Sequence, residues 1–136
     1  MILEAKIEKD GKFFIADFIA IDAATQGHSV PELLEMAEDL VRGFCDRPAD
    51  ISVSLKGKNK VVEVEVSPSS AIIPAILRRQ REKSGLSSRD VTSILREKSP
   101  SSYSAYELGK RVPSAEKLDE LLEAVSKQDR LKVRVG

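Results

Sequence analysis

The stretch "GLSSRDVTSILREKSPSSYSAYELGKRVPS", residues 85–114, most limits what this chain can fold into. Capping residues and helix breakers recur so closely within it that no long helix fits. Ser87 and Asp90 have capping-box spacing, in which each side chain serves an unpaired N–H of the first turn. Ser99-Pro100 predicts a cap followed by proline at the first helical position, where its missing N–H costs nothing. Gly85 and Gly109 sit where helices stop, because glycine takes the left-handed conformation at little cost. Ser114 opens one more helix. The pattern predicts a compact bundle of short helices. Its inward stripes are Ile73, Ile76 and Leu77, then Val91, Ile94 and Leu95, then Tyr103 and Tyr106, and last Leu118, Leu121, Leu122 and Val125.

The first half alternates instead with period two. "MILEAKIEKDGKFFIADFI" reads as a hairpin, with Asp10-Gly11 as the central pair of a type I′ turn. "IDAATQG" is a candidate third strand. Ser29 and Glu32 cap a helix that carries Leu33, Ala37, Leu40, Val41 and Phe44 on one stripe. "DISVSLKGK" and "KVVEVEV" are two further strands. The expected fold class is therefore α+β: a mostly antiparallel N-terminal sheet with one helix, followed by an all-α bundle. "SPSSAIIP" reads as the seam, a short linker at 68–71 with limited freedom. The expected units are residues 1–67, the bundle at 72–128, and a C-terminal strand at 129–136.

The formal net charge is +0, yet the halves differ. Residues 1–70 hold 8 Lys and Arg against 13 Asp and Glu, a net −5; residues 71–136 hold 14 against 9, a net +5. An acidic unit joined to a basic one suggests two partners of opposite charge. A single cysteine, Cys45, excludes an intramolecular disulfide and fits a cytoplasmic setting. No apolar run is long enough to cross a membrane, and no signal peptide is expected at the start.

Catalytic signals are sparse. Asp17 and Asp22 lie near strand ends, but a two-metal nuclease needs several clustered carboxylates. His28, just before a helix cap, is better explained as a surface or capping residue. No cofactor or metal is expected, and no enzyme activity.

The third helix of the bundle places Ser101, Ser102, Ser104 and Ala105 where burial would favour larger apolar groups. Small polar side chains and a methyl group suit the major groove of DNA. Ser99 opens this helix. Lys110 and Arg111 beyond it, with Ser88 and Arg89 at the start of the second helix, are positioned for phosphates on either side. The alternative for all these residues is a solvated bundle surface. "DRLKVRVG" alternates Leu131, Val133 and Val135 with charges. A strand with no partner in its own unit is a pairing template, so these residues are candidates for pairing with a second chain; the other reading is a frayed tail.

Two resemblances cover nearly the whole chain. Residues 72–128 resemble the Xre/Cro-type helix-turn-helix family through "LRRQREKSGLSSRDV" and "SSYSAYELGKRVPS". In that family a helix-to-helix ion pair is common at the positions of Arg81 and Glu107, which implies a structural role for both. The turn "LREKSP" departs from the family by one extra residue and by lacking glycine, and Thr92 replaces a common alanine. The first unit resembles the HicB antitoxin family through "IEKDGKFFIADF" and "ATQGHSVPELLEMAEDLV". This resemblance implies a degraded ribonuclease-H-like fold without catalysis that binds a HicA-type ribonuclease toxin. The second unit would then repress the shared operon by binding double-stranded operator DNA as a homodimer or higher homo-oligomer. A solitary transcriptional regulator with an N-terminal sensing or protein-interaction domain is the other reading.

Overall fold

The computed structural model describes residues 1–58 and 60–126, together with the backbone of 133–134. Five antiparallel strands, β1 (Ile2–Asp10), β2 (Phe13–Phe18), β3 (Ala23–Gly27), β4 (Asp50–Lys56) and β5 (Val61–Ser67), lie in the order β3-β2-β1-β5-β4. Helix α1 (Val30–Phe44) crosses between β3 and β4 in sequence and packs on one face of the sheet. Four helices follow: α2 (Ile73–Lys83), α3 (Ser88–Ile94), α4 (Ser101–Glu107) and α5 (Ala115–Val125). The α+β class with a helical C-terminal half is as expected.

Alternation decides which sheet face is covered. Leu3, Ala5, Ala16, Phe18, Val62, Val64 and Val66 are buried toward α1. Ser29 caps α1 as its spacing predicts, accepting from the Glu32 N–H at 3.2 Å, but the reciprocal half of the box differs: Glu32 accepts from the His28 N–H, one residue before the cap. The hairpin turn is shifted by one residue. Asp10 pairs with Phe13, so Gly11 and Lys12 form the turn, and only Gly11 of these has positive φ (59°). A type I′ turn needs two such residues, so the expected type is not formed.

The seam is not a loose linker. Ser69–Ala71 is a one-turn 3-10 helix, and Ala71, Ile72 and Ile73 are buried. The polar letters "SPSS" suggested freedom, but the apolar residues behind them are covered by the sheet unit. Core side chains of both halves form one cluster, from Leu3 and Phe18 through Ile76 and Leu77 to Leu121.

The C-terminal strand also differs from expectation. Val133 pairs with Leu3 and Arg134 with Ile2 of the same chain. β1 gives residues 7–10 to β2, which leaves its start open on that side, and β6 (Val133–Arg134) occupies the space. Val133 therefore has an intramolecular strand partner where an intermolecular one was expected. Leu131 and Val135 lie outside the described residues.

Candidate nucleic-acid interface

Three of the bundle's helices, α2, α3 and α4, end in the same way. The residue just past the C-cap takes a left-handed conformation, and the next two N–H groups fold back onto the last turn. Beyond α2 that residue is Gly85 (φ 72°), with Gly85 N–H to Glu82 O and Leu86 N–H to Arg81 O. Beyond α4 it is Gly109 (φ 74°), with Gly109 N–H to Tyr106 O and Lys110 N–H to Ala105 O. Beyond α3 it is Arg96 (φ 57°), bonded to Ser93 O, with Glu97 N–H to Thr92 O. All three are Schellman ends. The turn that lacks glycine thus keeps the glycine conformation, and Arg96 carries its steric cost.

The starts follow the sequence less uniformly. Ser87 and Asp90 form the full capping box, at 3.0 and 2.8 Å. Ser114 accepts from the Lys117 N–H at 3.1 Å. Ser99 does not cap α4 through its side chain. Pro100 occupies the cap position in a helical conformation, the Ser102 N–H bonds to the Ser99 carbonyl, and the Ser99 hydroxyl meets that of Ser101 at 3.0 Å. The helix begins one residue later than expected, because Pro100 enters as the last residue of a turn.

Three polar ties fix α4 against its neighbours. Arg81 Nη2 lies 2.7 Å from Glu107 Oε1 and Arg81 Nε lies 2.9 Å from Glu107 Oε2, a two-pronged pair. Its side chains are only 18% and 10% exposed, so water screens it little. The hydrogen bond to Glu107 raises the Arg81 pKa above its ordinary value. Arg81 Nη1 also donates to Leu86 O. Thr92, buried where an alanine is common, donates to Ser88 O at 3.0 Å and reaches Pro100 O at 3.5 Å, which joins α3 to the start of α4. Lys117 Nζ holds Glu97 at 2.8 Å, which pins the α3–α4 turn to α5; this hydrogen bond holds the Glu97 carboxyl below its ordinary pKa. Tyr103 and Tyr106 anchor α4 from beneath, and burial raises the Tyr103 phenol above its ordinary pKa.

The opposite side of α4 is open. Ser101 is exposed, and Ser102, Ser104 and Ala105 are half-buried; the Ser104 hydroxyl donates to the Ser101 carbonyl. Ser88 is half-buried and Arg89 exposed at the start of α3. Lys110 and Arg111 are exposed, and the Arg111 guanidinium rests 4.7 Å from the Tyr106 ring centroid, which restrains its direction. Ile94, expected to face inward, is 53% exposed. The inner side of α3 is carried by Val91 and Thr92, with Leu95 just past the helix end partly buried against the core.

Charge is sorted across this surface. The acids between residues 88 and 111 are Asp90, Glu97 and Glu107. Asp90 is engaged in the capping box, Glu97 with Lys117 and Glu107 with Arg81. The bases of the same segment, Arg89, Arg96, Lys98, Lys110 and Arg111, are all exposed. On this surface Glu97 and Glu107 are paired with bases of the fold, the exposed Asp90 is bonded to the Ser87 N–H, and the positive charges face solvent.

The sheet unit holds this surface in place through groups with no sequence signature. Gln80, 1% exposed, donates to the carbonyls of Ile19 (2.6 Å) and Ala20 (3.0 Å). Arg79 donates to the carbonyls of Ile21 and Asp22 at 2.9 and 2.8 Å and lies over the Phe44 ring. Asp22 carries Lys83 at 3.7 Å, so this aspartate serves the junction. Arg47, from the loop after α1, donates to the Gly109 carbonyl at 2.9 Å. The positive φ of Gly109 (74°) favours glycine there; a Cβ would also meet the ends of the Arg47 and Asp46 side chains at 2.6 Å, which can swing aside.

Away from the bundle, the uncovered face of the sheet is acidic. Glu4, Glu8 and Asp17, with Lys6 among them, line a groove of about 360 Å³ with Ile15, Ile19 and Val61. Among the described residues, no group of three or more acidic, histidine or cysteine side chains is gathered as a metal ion would require. No helix among them is long and apolar enough to cross a membrane.

Comparison with known families gives a match in the second half of the chain. Residues 77–126, from the middle of α2 to the end of α5, fit a helix-turn-helix family model. The matched span is a little over a third of the chain and contains the α3–α4 pair with both flanking helices. Such a domain is the DNA-binding part of transcriptional regulators. No curated protein and no solved structure matched the chain.

Proposed function

We propose that the chain is an antitoxin and autorepressor that binds operator DNA through α3 and α4. The observation that carries the DNA part is the sorting of charge: every acid between residues 88 and 111 has an internal partner, and every base there is exposed. In this reading α4 enters the major groove, with Ser101, Ser102, Ser104 and Ala105 toward base edges. Ser88, Arg89, Ser99, Lys110 and Arg111 meet the phosphates on either side. The helix-turn-helix match at 77–126 supports it.

The sheet unit, in the same reading, is a HicB-like, degraded ribonuclease-H-like domain that neutralises a HicA-type ribonuclease toxin in the cytoplasm. Its support is the resemblance of "IEKDGKFFIADF" and the helix that follows, together with the net −5 of residues 1–70 and the groove where Glu4, Glu8 and Asp17 outnumber Lys6. A small basic toxin would meet complementary charge there. Co-expression with the neighbouring reading frame tests this. The expected result is co-purification of a small basic protein whose RNA cleavage stops when this chain is added. Undiminished cleavage in the presence of the folded chain would refute it.

A second reading, a solitary regulator with a sensing domain, is favoured by one observation. Arg47, Arg79 and Gln80 join the sheet unit directly to the bundle, so a ligand on the sheet could alter the set of α4. A neighbourhood with no small basic reading frame would favour it.

A further inference from the structure

The dimer that a two-half-site operator calls for needs a surface, and the C-terminal strand is spoken for where it is described. At the two ends of the order β3-β2-β1-β5-β4 stand β3 and β4. β3 is five residues long and its Gly27 end is closed by α1: a Cβ there would lie 2.6 Å from the Leu33 nitrogen. β4 is seven residues long, and among the described residues no strand pairs with it on the side away from β5. Edge strands of folded proteins carry devices against pairing, such as proline, a bulge, or a charge pointing inward. β4 has no proline, bulge or inward charge, and its pairing with β5 runs without interruption from Asp50↔Ser67 to Lys56↔Val61; it does carry the edge lysine that can act as such a device, Lys56.

Its sequence, DISVSLK, is moreover self-complementary when reversed. Laid antiparallel on a copy of itself about a two-fold axis through Val53, Ile51 faces Leu55, Ser52 faces Ser54, and Asp50 faces Lys56. The pairs occur twice by symmetry, so two Asp–Lys contacts flank the centre. Asp50 and Lys56 are both exposed, and among the described residues neither has a charged partner within the chain. Ile51, Val53 and Leu55 share the α1 face and are half-buried, so a second copy would cover what remains of them. Opposite charges and matched aliphatic groups directly across an antiparallel pair are the stabilising combinations, and like charges there are destabilising. The arrangement fits either hydrogen-bonding phase of the strand, because a residue on the axis can form either kind of antiparallel pair.

We infer that β4 is the homodimer interface of this protein, pairing antiparallel with β4 of a second copy about Val53 to join two five-stranded sheets into one. The interface is isologous, so it closes at two copies. Strand rise sets the length of the shared pair at roughly 23 Å for seven residues. β4 begins opposite the end of β5 that leads into α2, so the two bundles lie toward opposite ends of the pair.

The inference stands on β4 and does not depend on the DNA-binding reading. The experiment is a mass measurement by sedimentation equilibrium on the full chain, without DNA or any other protein, at tens of micromolar. The wild type is expected to be dimeric. Asp50→Lys, which sets lysine against lysine twice, should weaken the dimer roughly tenfold or more, and so should Lys56→Asp. Asp50→Lys combined with Lys56→Asp restores the complement and should restore the dimer. A monomeric wild type, or a dimer indifferent to all three variants, would overturn the inference. Hydrogen exchange on the wild type gives a check free of variants. Amides of residues 50–56 should slow as concentration rises; exchange there that is independent of concentration in a dimeric protein would also overturn it.

Discussion

The sheet unit and the helical bundle solve the same packing problem by different means. Along the sheet, strict alternation of long strands selects one apolar face, and backbone ladders do the joining. The bundle has helices of seven to eleven residues, too short to be stable alone, and places a polar device at nearly every end. Three Schellman ends, two side-chain caps and the Arg81–Glu107 pair fix its turns. Yet the bundle is not a separate body. Its first helix is buried against the sheet unit, and Gln80 closes the seam from within. The comparison teaches that the two halves differ in how they are specified but share what stabilises them.

The sharpest way to break that comparison is Leu77→Ala. Leu77 is fully buried in the joint core, and its truncation should cost about 3 kcal/mol. Sheet and bundle should still unfold together, seen as coincident far-ultraviolet and tyrosine-fluorescence transitions; two separated transitions would show the halves to be independent. Gln80→Leu comes next. It leaves the Ile19 and Ala20 carbonyls without their side-chain donor, at about 2 kcal/mol, read from denaturant midpoints. A change below a few tenths would place the joint elsewhere.

These two residues also show where sequence reading stops. Ser29, Ser87 and Ser114 were legible as caps because the acceptor and the N–H it serves lie three residues apart. The Arg81–Glu107 pair was legible only through a family resemblance. Gln80, Arg79 and Arg47 were not legible, since they bond to backbone carbonyls about sixty residues away, and a carbonyl has no letter in a sequence. The seam misled for a related reason: "SPSS" describes its own solubility and says nothing of the apolar surface beside it. β6 showed its alternation, but a strand's partner is a long-range property.

Smaller effects sharpen the picture of the bundle. Arg96→Gly should stabilise by about 0.5–1 kcal/mol, since the left-handed cost at φ 57° outweighs glycine's added chain entropy. A rise of roughly 2–4 °C in Tm would register it; a fall would mean the arginine side chain holds the turn. The smallest effect concerns acid. Lys117 holds the Glu97 pKa below its ordinary 4.5 in the folded state. A depressed folded pKa contributes stability above the ordinary value and loses it as pH falls through the folded one. The same bond raises Lys117 above its ordinary 10.5, so the pair also weakens as pH climbs past that folded value. Glu97→Gln should therefore flatten the acid limb of the stability profile slightly, and an acid limb identical to the wild type would show that the tie contributes nothing.

The surface of α3 and α4 is most directly tested by the salt dependence of binding to duplex DNA. Lys110 and Arg111 are exposed beyond the Schellman end of α4. Replacing both by alanine should weaken binding to every sequence and lower the slope of log affinity against log salt by about two units. An unchanged slope, with the double variant folded, would mean that this surface does not meet phosphates.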